Sequence, residues 1–301
     1  MRKVLLATTA LVAMGGVSAA SADISISMSS EFKYSNYSDN TGTTTDKSTY
    51  ASTTDMVVTA TSALDNGMSV KATLDVDEGT TQAGGLSISG DFGTLGFKDL
   101  GSEHGAVSTD VTADEGHGAT TGYVLPADEA IGKSTVSWTA PAISGFSLSL
   151  GLTEGGTGDD TSTYGVGYSI DAGTATVAIN WAAESAGNVD DTALGATLTM
   201  GDLVIKAASN STETGTTSDI TGTSMGLTYK LSDAMTVQAY TGNTEDSKDS
   251  VYKVTDTGVG FSYTITPGLK LSVTHNDYST VKTGTSKVKG DNTALAIDVS
   301  F

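Results

Sequence analysis

From Ile24 to Phe301 the chain repeatedly alternates apolar with small polar residues, a period of two that belongs to β-strands. In the last such segment Leu295, Ile297, Val299 and Phe301 fall on one face, and Ala296, Asp298 and Ser300 on the other. The pattern recurs in Phe146-Leu148-Leu150-Leu152 against Ser147-Ser149-Gly151, in Val177-Ile179-Trp181 against Thr176-Ala178-Asn180, and in Val259-Phe261-Tyr263-Ile265 against Gly260-Ser262-Thr264. A strand of this kind can turn one face to hydrocarbon and the other to water. A soluble sandwich would instead bury the apolar face as its core. The opposite face decides between them. It is small and hydroxylated, as a water-filled lumen requires, and lacks the bulky residues that fill a small barrel.

The connections sort into two kinds. Short turns fall at Asp65-Asn66-Gly67, Asp91-Phe92-Gly93, Ala142 to Gly145, Asp171-Ala172-Gly173, Gly201-Asp202, Ser232-Asp233-Ala234 and Thr266-Pro267-Gly268. Between them lie longer polar stretches at 35–50, 78–84, 100–132, 154–162, 184–191, 211–222, 243–251 and 279–290. Seven short turns and eight long loops join sixteen strands. The expected fold is therefore all-β, a sixteen-stranded antiparallel transmembrane barrel over residues 23–301, with short turns at one end and long loops at the other.

Residues 1–22 have the three parts of a secretory signal peptide: Arg2 and Lys3, the apolar stretch Val4 to Met14, and the small-x-small pattern Ala20-Ser21-Ala22. The apolar stretch is too short to cross ~30 Å of hydrocarbon as a helix, so cleavage near Asp23 is expected. Loss of Arg2 and Lys3 would take the formal charge from −20 to −22 and leave lysine as the only fixed cation. So acidic a chain argues against a nucleic-acid partner. The absence of cysteine excludes disulfides and thiolate metal sites.

In four places the sequence resembles the general diffusion porins of Gram-negative bacteria, of the alphaproteobacterial, Rhodobacter-like kind. These are Met1-Arg2-Lys3-Val4-Leu5-Leu6-Ala7-Thr8-Thr9-Ala10-Leu11-Val12-Ala13, the acidic start Asp23-Ile24-Ser25-Ile26-Ser27-Met28, the turn Asp91-Phe92-Gly93-Thr94-Leu95-Gly96, and the terminal Phe301. The resemblance spans the chain as a pattern more than as identities. It implies a homotrimer in the outer membrane, surrounded by lipid and lipopolysaccharide, that passes ions and small hydrophilic solutes by passive diffusion. It also implies that the third outer loop folds into the pore, and that Phe301 is read by the barrel-assembly machinery.

The segment 100–132 is the longest without strand alternation, and loops beyond ~15 residues are uncommon unless functional or disordered. It follows the fifth strand, where the resemblance places the constriction. Its carboxylates are Glu103, Asp110, Asp114, Glu115, Asp128 and Glu129, accompanied by His104 and His117. Carboxylates at a narrow point favour cations over anions, which predicts a mild cation preference. The competing account is a solvated surface loop. By strand parity Lys33, Lys71, Lys98, Lys206, Lys230 and Lys270 point inward beside Glu31, Asp55, Asp75 and Asp298. Lys33, Lys71 and Lys98 are the candidates for a basic wall opposite the acidic loop, although isolated lysines would also simply keep the lumen polar. Related porins use arginine clusters at this place, and this chain has none to offer.

No catalytic residues are expected. There are three histidines, and no Gly-x-Ser-x-Gly or His-Glu-x-x-His pattern. No cofactor is expected either, although Asp159-Asp160 and Asp190-Asp191, expected in outer loops, could hold a structural calcium ion; both lack the spacing of a dedicated calcium loop. Two rivals remain: an exported β-rich surface adhesin or layer protein, and a substrate-specific channel on the same barrel.

Overall fold

The hairpin-forming turns and the alternating segments between them build the structure in the order in which they occur. A computed structural model describes residues 23–39, 47–77, 83–98, 104–105, 130–131, 134–154, 159–216, 218–248, 252–282 and 287–301. Its strands are β1 (Asp23–Asp39), β2 (Lys47–Ala63), β3 (Ser69–Asp77), β4 (Ala83–Gly90), β5 (Gly93–Lys98), β6 (His104–Gly105), β7 (Ala130–Ile131), β8 (Val136–Thr139) and β9 (Phe146–Thr153). They continue with β10 (Thr161–Asp171), β11 (Thr176–Ala186), β12 (Val189–Met200), β13 (Leu203–Thr214), β14 (Ser218–Lys230), β15 (Met235–Asp246), β16 (Tyr252–Thr266), β17 (Leu269–Lys282) and β18 (Val288–Ser300). Sixteen of these close into an antiparallel barrel, each beside its sequence neighbour, while β6 and β7 pair separately. β1 and β18 shut the ring from Ser29↔Ser300 to Asp39↔Gly290, helped by reciprocal backbone hydrogen bonds between Met28 and Phe301.

The apolar face is outside. Ile26, Phe146, Val259 and Leu152 are 55–63% exposed, and Trp181 and Leu194 also stand outward. In water this surface would be untenable as one continuous belt; in lipid it is the requirement. Along β16 the belt runs Val259, Phe261, Tyr263 and Ile265, and gives way to Thr257 and Thr255 toward the long-loop end. Among the described residues the only buried hydrophobic cluster is Ala182 with Ala193, so the fold rests on its ladders rather than on a core. Closing the sheet pairs the backbone throughout and leaves no edge in hydrocarbon.

All seven short turns form as expected. Gly173 (φ +81°), Gly201 (φ +54°) and Gly268 (φ +82°) take the left-handed conformation that such turns require. Asp171 accepts a hydrogen bond from the Gly173 amide at 2.8 Å, and Ser232 Oγ accepts those of Ala234 and Met235.

The other end departs from expectation. The stretch 184–191 is no long loop: β11 runs to Ala186, β12 resumes at Val189, and Gly187-Asn188 turns between them. Much of 35–50, 211–222, 243–251 and 279–290 is likewise strand. Above the belt both faces are polar, so the alternation that marks a strand in the sequence fades although the ladder continues. Among the described residues, β1 and β2 have 17 residues each, whereas β4, β5, β8 and β9 have eight, six, four and eight. Among the described residues the wall is therefore tall around most of the ring and low along β4, β5, β8 and β9. Among the described residues β8 shares only four register pairs with each of its neighbours, β5 and β9, and Trp138 Nε1 donates to the Phe92 carbonyl at 2.9 Å as an additional staple.

Candidate pore and its inward ribbon

Lumen-facing positions follow from the ladder register. On β10–β12 they are Thr163, Gly165, Gly167, Asn180, Ala182, Ala193 and Gly195, in rows such as Gly165↔Ala182↔Ala193. At Gly165, Gly167, Ala182, Ala193 and Gly195 absent or single-carbon side chains leave the inner wall flat. The β6–β7 ribbon, His104↔Ile131 and Gly105↔Ala130, lies against β10, β11 and β12. It lies on the inner face. Ala182 and Ala193 are 0% and 2% exposed, whereas the alternate residues Trp181 and Leu194 remain open outside. The described ribbon of the segment after β5 thus lies inside the barrel, as the resemblance implies for the third loop.

The returning chain is tied down by residues that sequence reasoning missed. Ser134 Oγ and Thr163 Oγ1 are hydrogen-bonded at 2.7 Å, and Ser134 is 1% exposed. The contact passes over Gly151, where a Cβ would sit 1.9 Å from Ser134 Oγ. The legible signal was the run of Gly and Ala at successive inward positions of β9 to β12.

In a ring of sixteen, the strand eight places from β11 is β1, whichever way one counts. The wall opposite the ribbon is therefore β2, β1 and β18. Lys33 lies there, in register with Ala51 and Ala296, with Glu31 two residues before it. Lys71, in register with Thr61 and Ser87, faces the lumen two strands away from β1. Lys98 ends β5 at φ +54°, and its amide donates to the Thr135 carbonyl at 2.8 Å. The three lysines are thus spread from β1 to β5 rather than gathered. Lys206 and Lys270 also face inward. Lys230, at the short-turn rim, donates to Asp233 Oδ1 at 2.9 Å; this hydrogen bond and the ammonium's charge hold the Asp233 carboxyl below its ordinary range.

Glu103, Asp110, Asp114, Glu115, Asp128 and Glu129 lie outside the described residues, as do His117 and the expected signal peptide 1–22. Two carboxylates that the sequence reading placed in an outer loop face the lumen. Glu184 and Asp191 are direct register partners beside the ribbon's seat; they were hidden because 184–191 read as a loop. Asp190 and Asp191 project to opposite faces of β12, with Asp190 accepting from Ser185 Oγ at 2.7 Å. They cannot hold one calcium ion between them. Among the described residues no group of three or more possible ligands gathers.

Aromatic rings also reach the lumen. Tyr37 and Tyr278 stack at 6.0 Å and 12°, their hydroxyls in contact. Tyr240 lies across Gly258, where a Cβ would sit 2.2 Å from Cε1. Tyr240 and Tyr278 are each 5% exposed, so these rings brace the wall rather than offer a stacking surface. His275, outward on β17, meets Thr293 Oγ1 at 2.8 Å and Asp277 at 3.7 Å.

A closed sheet, apolar outside and small and polar inside, with a ribbon folded onto its inner wall, defines an outer-membrane channel. Comparison with known proteins agrees. The model of the Gram-negative porin family matches residues 7–283, and the chain belongs to that family. No curated protein sequence matches it. Among solved structures, the anion-selective porin of Comamonas acidovorans is 13% identical with a TM-score of 0.67, covering 93% of this chain and 100% of that one. The channel DcaP of Acinetobacter baumannii is 14% identical with a TM-score of 0.64, covering 93% and 97%. A trimer form of OmpT, an outer membrane protein of Vibrio cholerae, is 12% identical with a TM-score of 0.62, covering 92% and 99%. At these identities the likeness concerns the fold. Family and fold point to a channel in the outer membrane rather than to an enzyme or an adhesin.

Proposed function

We propose that the protein is a general diffusion pore for ions and small hydrophilic solutes, mildly cation-preferring, exported with cleavage after Ala22 and assembled as a homotrimer. The observation that carries this reading is the ribbon seated on the inner face of β10–β12, within a closed barrel whose inner face is small and polar. Passage needs no conformational step. A solute exchanges bulk water for lumenal water between hydroxyl-lined walls, and its charge is weighed where the passage is narrowest. The trimer form among the structural relatives supports the trimer. The short motifs support an alphaproteobacterial, Rhodobacter-like affiliation. A relative described as anion-selective shares the fold, so architecture does not fix the sign of selectivity. Local charge does, because charges on outer loops are screened within ~8 Å at physiological salt. Calcium at Asp159-Asp160 stays part of the proposal as a structural ion only.

The test is the reversal potential of the purified protein in a planar bilayer under a salt gradient. Stepwise conductance with a cation-favouring potential is expected. Neutralising Asp114 and Glu115 together should lower the cation-to-anion permeability ratio by about two- to fivefold, as expected for charges acting at several ångströms through water. Absence of conductance from folded protein would overturn the pore. An unchanged ratio would take the filter away from these two residues.

A further inference from the structure

Lumenal charges on β1, β18 and β17 form an ordered row across the ladder. Glu31 is the register partner of Asp298, and Asp298 is the partner of Lys270. Lys270 Nζ stands 3.1 Å from Asp298 Oδ2 with half of its side chain open to the lumen. Lys33 lies on the same face two residues along β1 and acts on Glu31 through its charge. Around the ring the order is carboxyl, carboxyl, ammonium, with a second ammonium one pleat further along β1. Two adjacent carboxyls repel, and the neighbouring lysines compensate them.

The row's height differs from that of the ribbon's seat. Lys270 is the second residue of β17, and Asp298 lies two residues before the end of β18. The seat, at Ala182 and Ala193, lies well inside β11 and β12. From this placement we infer that the pore has a second ion-discriminating station toward its short-turn end, the Lys270–Asp298 pair with Glu31 beside it on the wall, in addition to the constriction by the inward loop. The inference rests on the diffusion-pore reading. An ion between the constriction and the short-turn rim passes this balanced patch, and either sign of charge can be unmasked there by a single substitution.

Three variants test it in the same bilayer experiment, each first shown to be folded by its resistance to detergent unfolding at room temperature. K270Q leaves two adjacent carboxyls with one fewer ammonium, and should raise the cation-to-anion permeability ratio. D298N removes a carboxylate and releases Lys270, and should lower it; E31Q should lower it too. Each shift is expected to be up to about fivefold, the factor for one charge acting at ~4 Å through water. The double variant K270Q/D298N should return close to the parent. D277N, on the outward face at the other end of β17, serves as the control and should leave the ratio unchanged. Opposite shifts for K270Q and D298N establish the station. An unmoved ratio in both, with conductance intact, overturns it and leaves the pore standing. Failure of the folded parent to conduct overturns the pore itself, and the station with it.

Discussion

Ile297→Arg is expected to destabilise the folded barrel by about 2–4 kcal/mol, the cost of an arginine near the middle of the lipid-facing belt. Ile297 is an outward residue of β18, 39% exposed, in register with Phe32 and Leu271, which face the same way. No lumenal carboxylate can reach a guanidinium on that face. Ser272→Arg on the inner face of β17, opposite Ala296, should cost less than about 1 kcal/mol because the lumen hydrates it. Urea unfolding from phospholipid vesicles measures both. Equal penalties would mean that the apolar face is not the one in lipid.

Gly93→Ala is expected to cost about 2–4 kcal/mol, from a strained backbone and a steric conflict acting together. Gly93 has φ +99°, and a Cβ there would lie 2.0 Å from the Thr139 carbonyl oxygen and 3.1 Å from Pro141 Cδ. Thr139 belongs to β8, four residues long, so the conflict falls where the described ladders of the ring are thinnest. Gly67→Ala separates the two causes. Gly67 has φ +80° with nothing within 4 Å of the added carbon, so only the backbone term of about 1–2 kcal/mol should appear. The difference between the two unfolding midpoints reports the clash.

The part of the fold that meets hydrocarbon was legible in the sequence, because lipid on one side and water on the other force the alternation of Val259 to Ile265 or Leu295 to Phe301. The short turns were legible for a related reason: Gly173 and Gly268 are there because the turns demand positive φ. The tall upper wall was not legible. At Asp190-Asp191 both faces of the strand meet water, so nothing in the composition separates strand from loop, and the carboxylates Glu184 and Asp191 were placed on the wrong element. The ribbon's contact with the wall was not legible. Its seat on Ala182 and Ala193 depends on which strands lie beneath it, a matter of closure rather than of local pattern. Lys33 was assigned to the correct face, yet the neighbours that govern its effect, Asp298 and Lys270, come from the far end of the chain and join it only through the β1–β18 ladder.

That ladder also dictates the timetable of folding. Every other pairing in the ring links strands adjacent in the barrel's connectivity, so each hairpin can form while the search for partners stays local. The pairing of Ser29 with Ser300 joins residues separated by almost the whole chain, the kind of high-contact-order step that slows folding. Until it occurs, β1 and β18 are two open edges, and a chain waiting in that state is exposed to edge-to-edge aggregation. There is also no inside: the lumen, its ribbon seat and its charge row come into being together, in the one event that joins the two ends of the sheet.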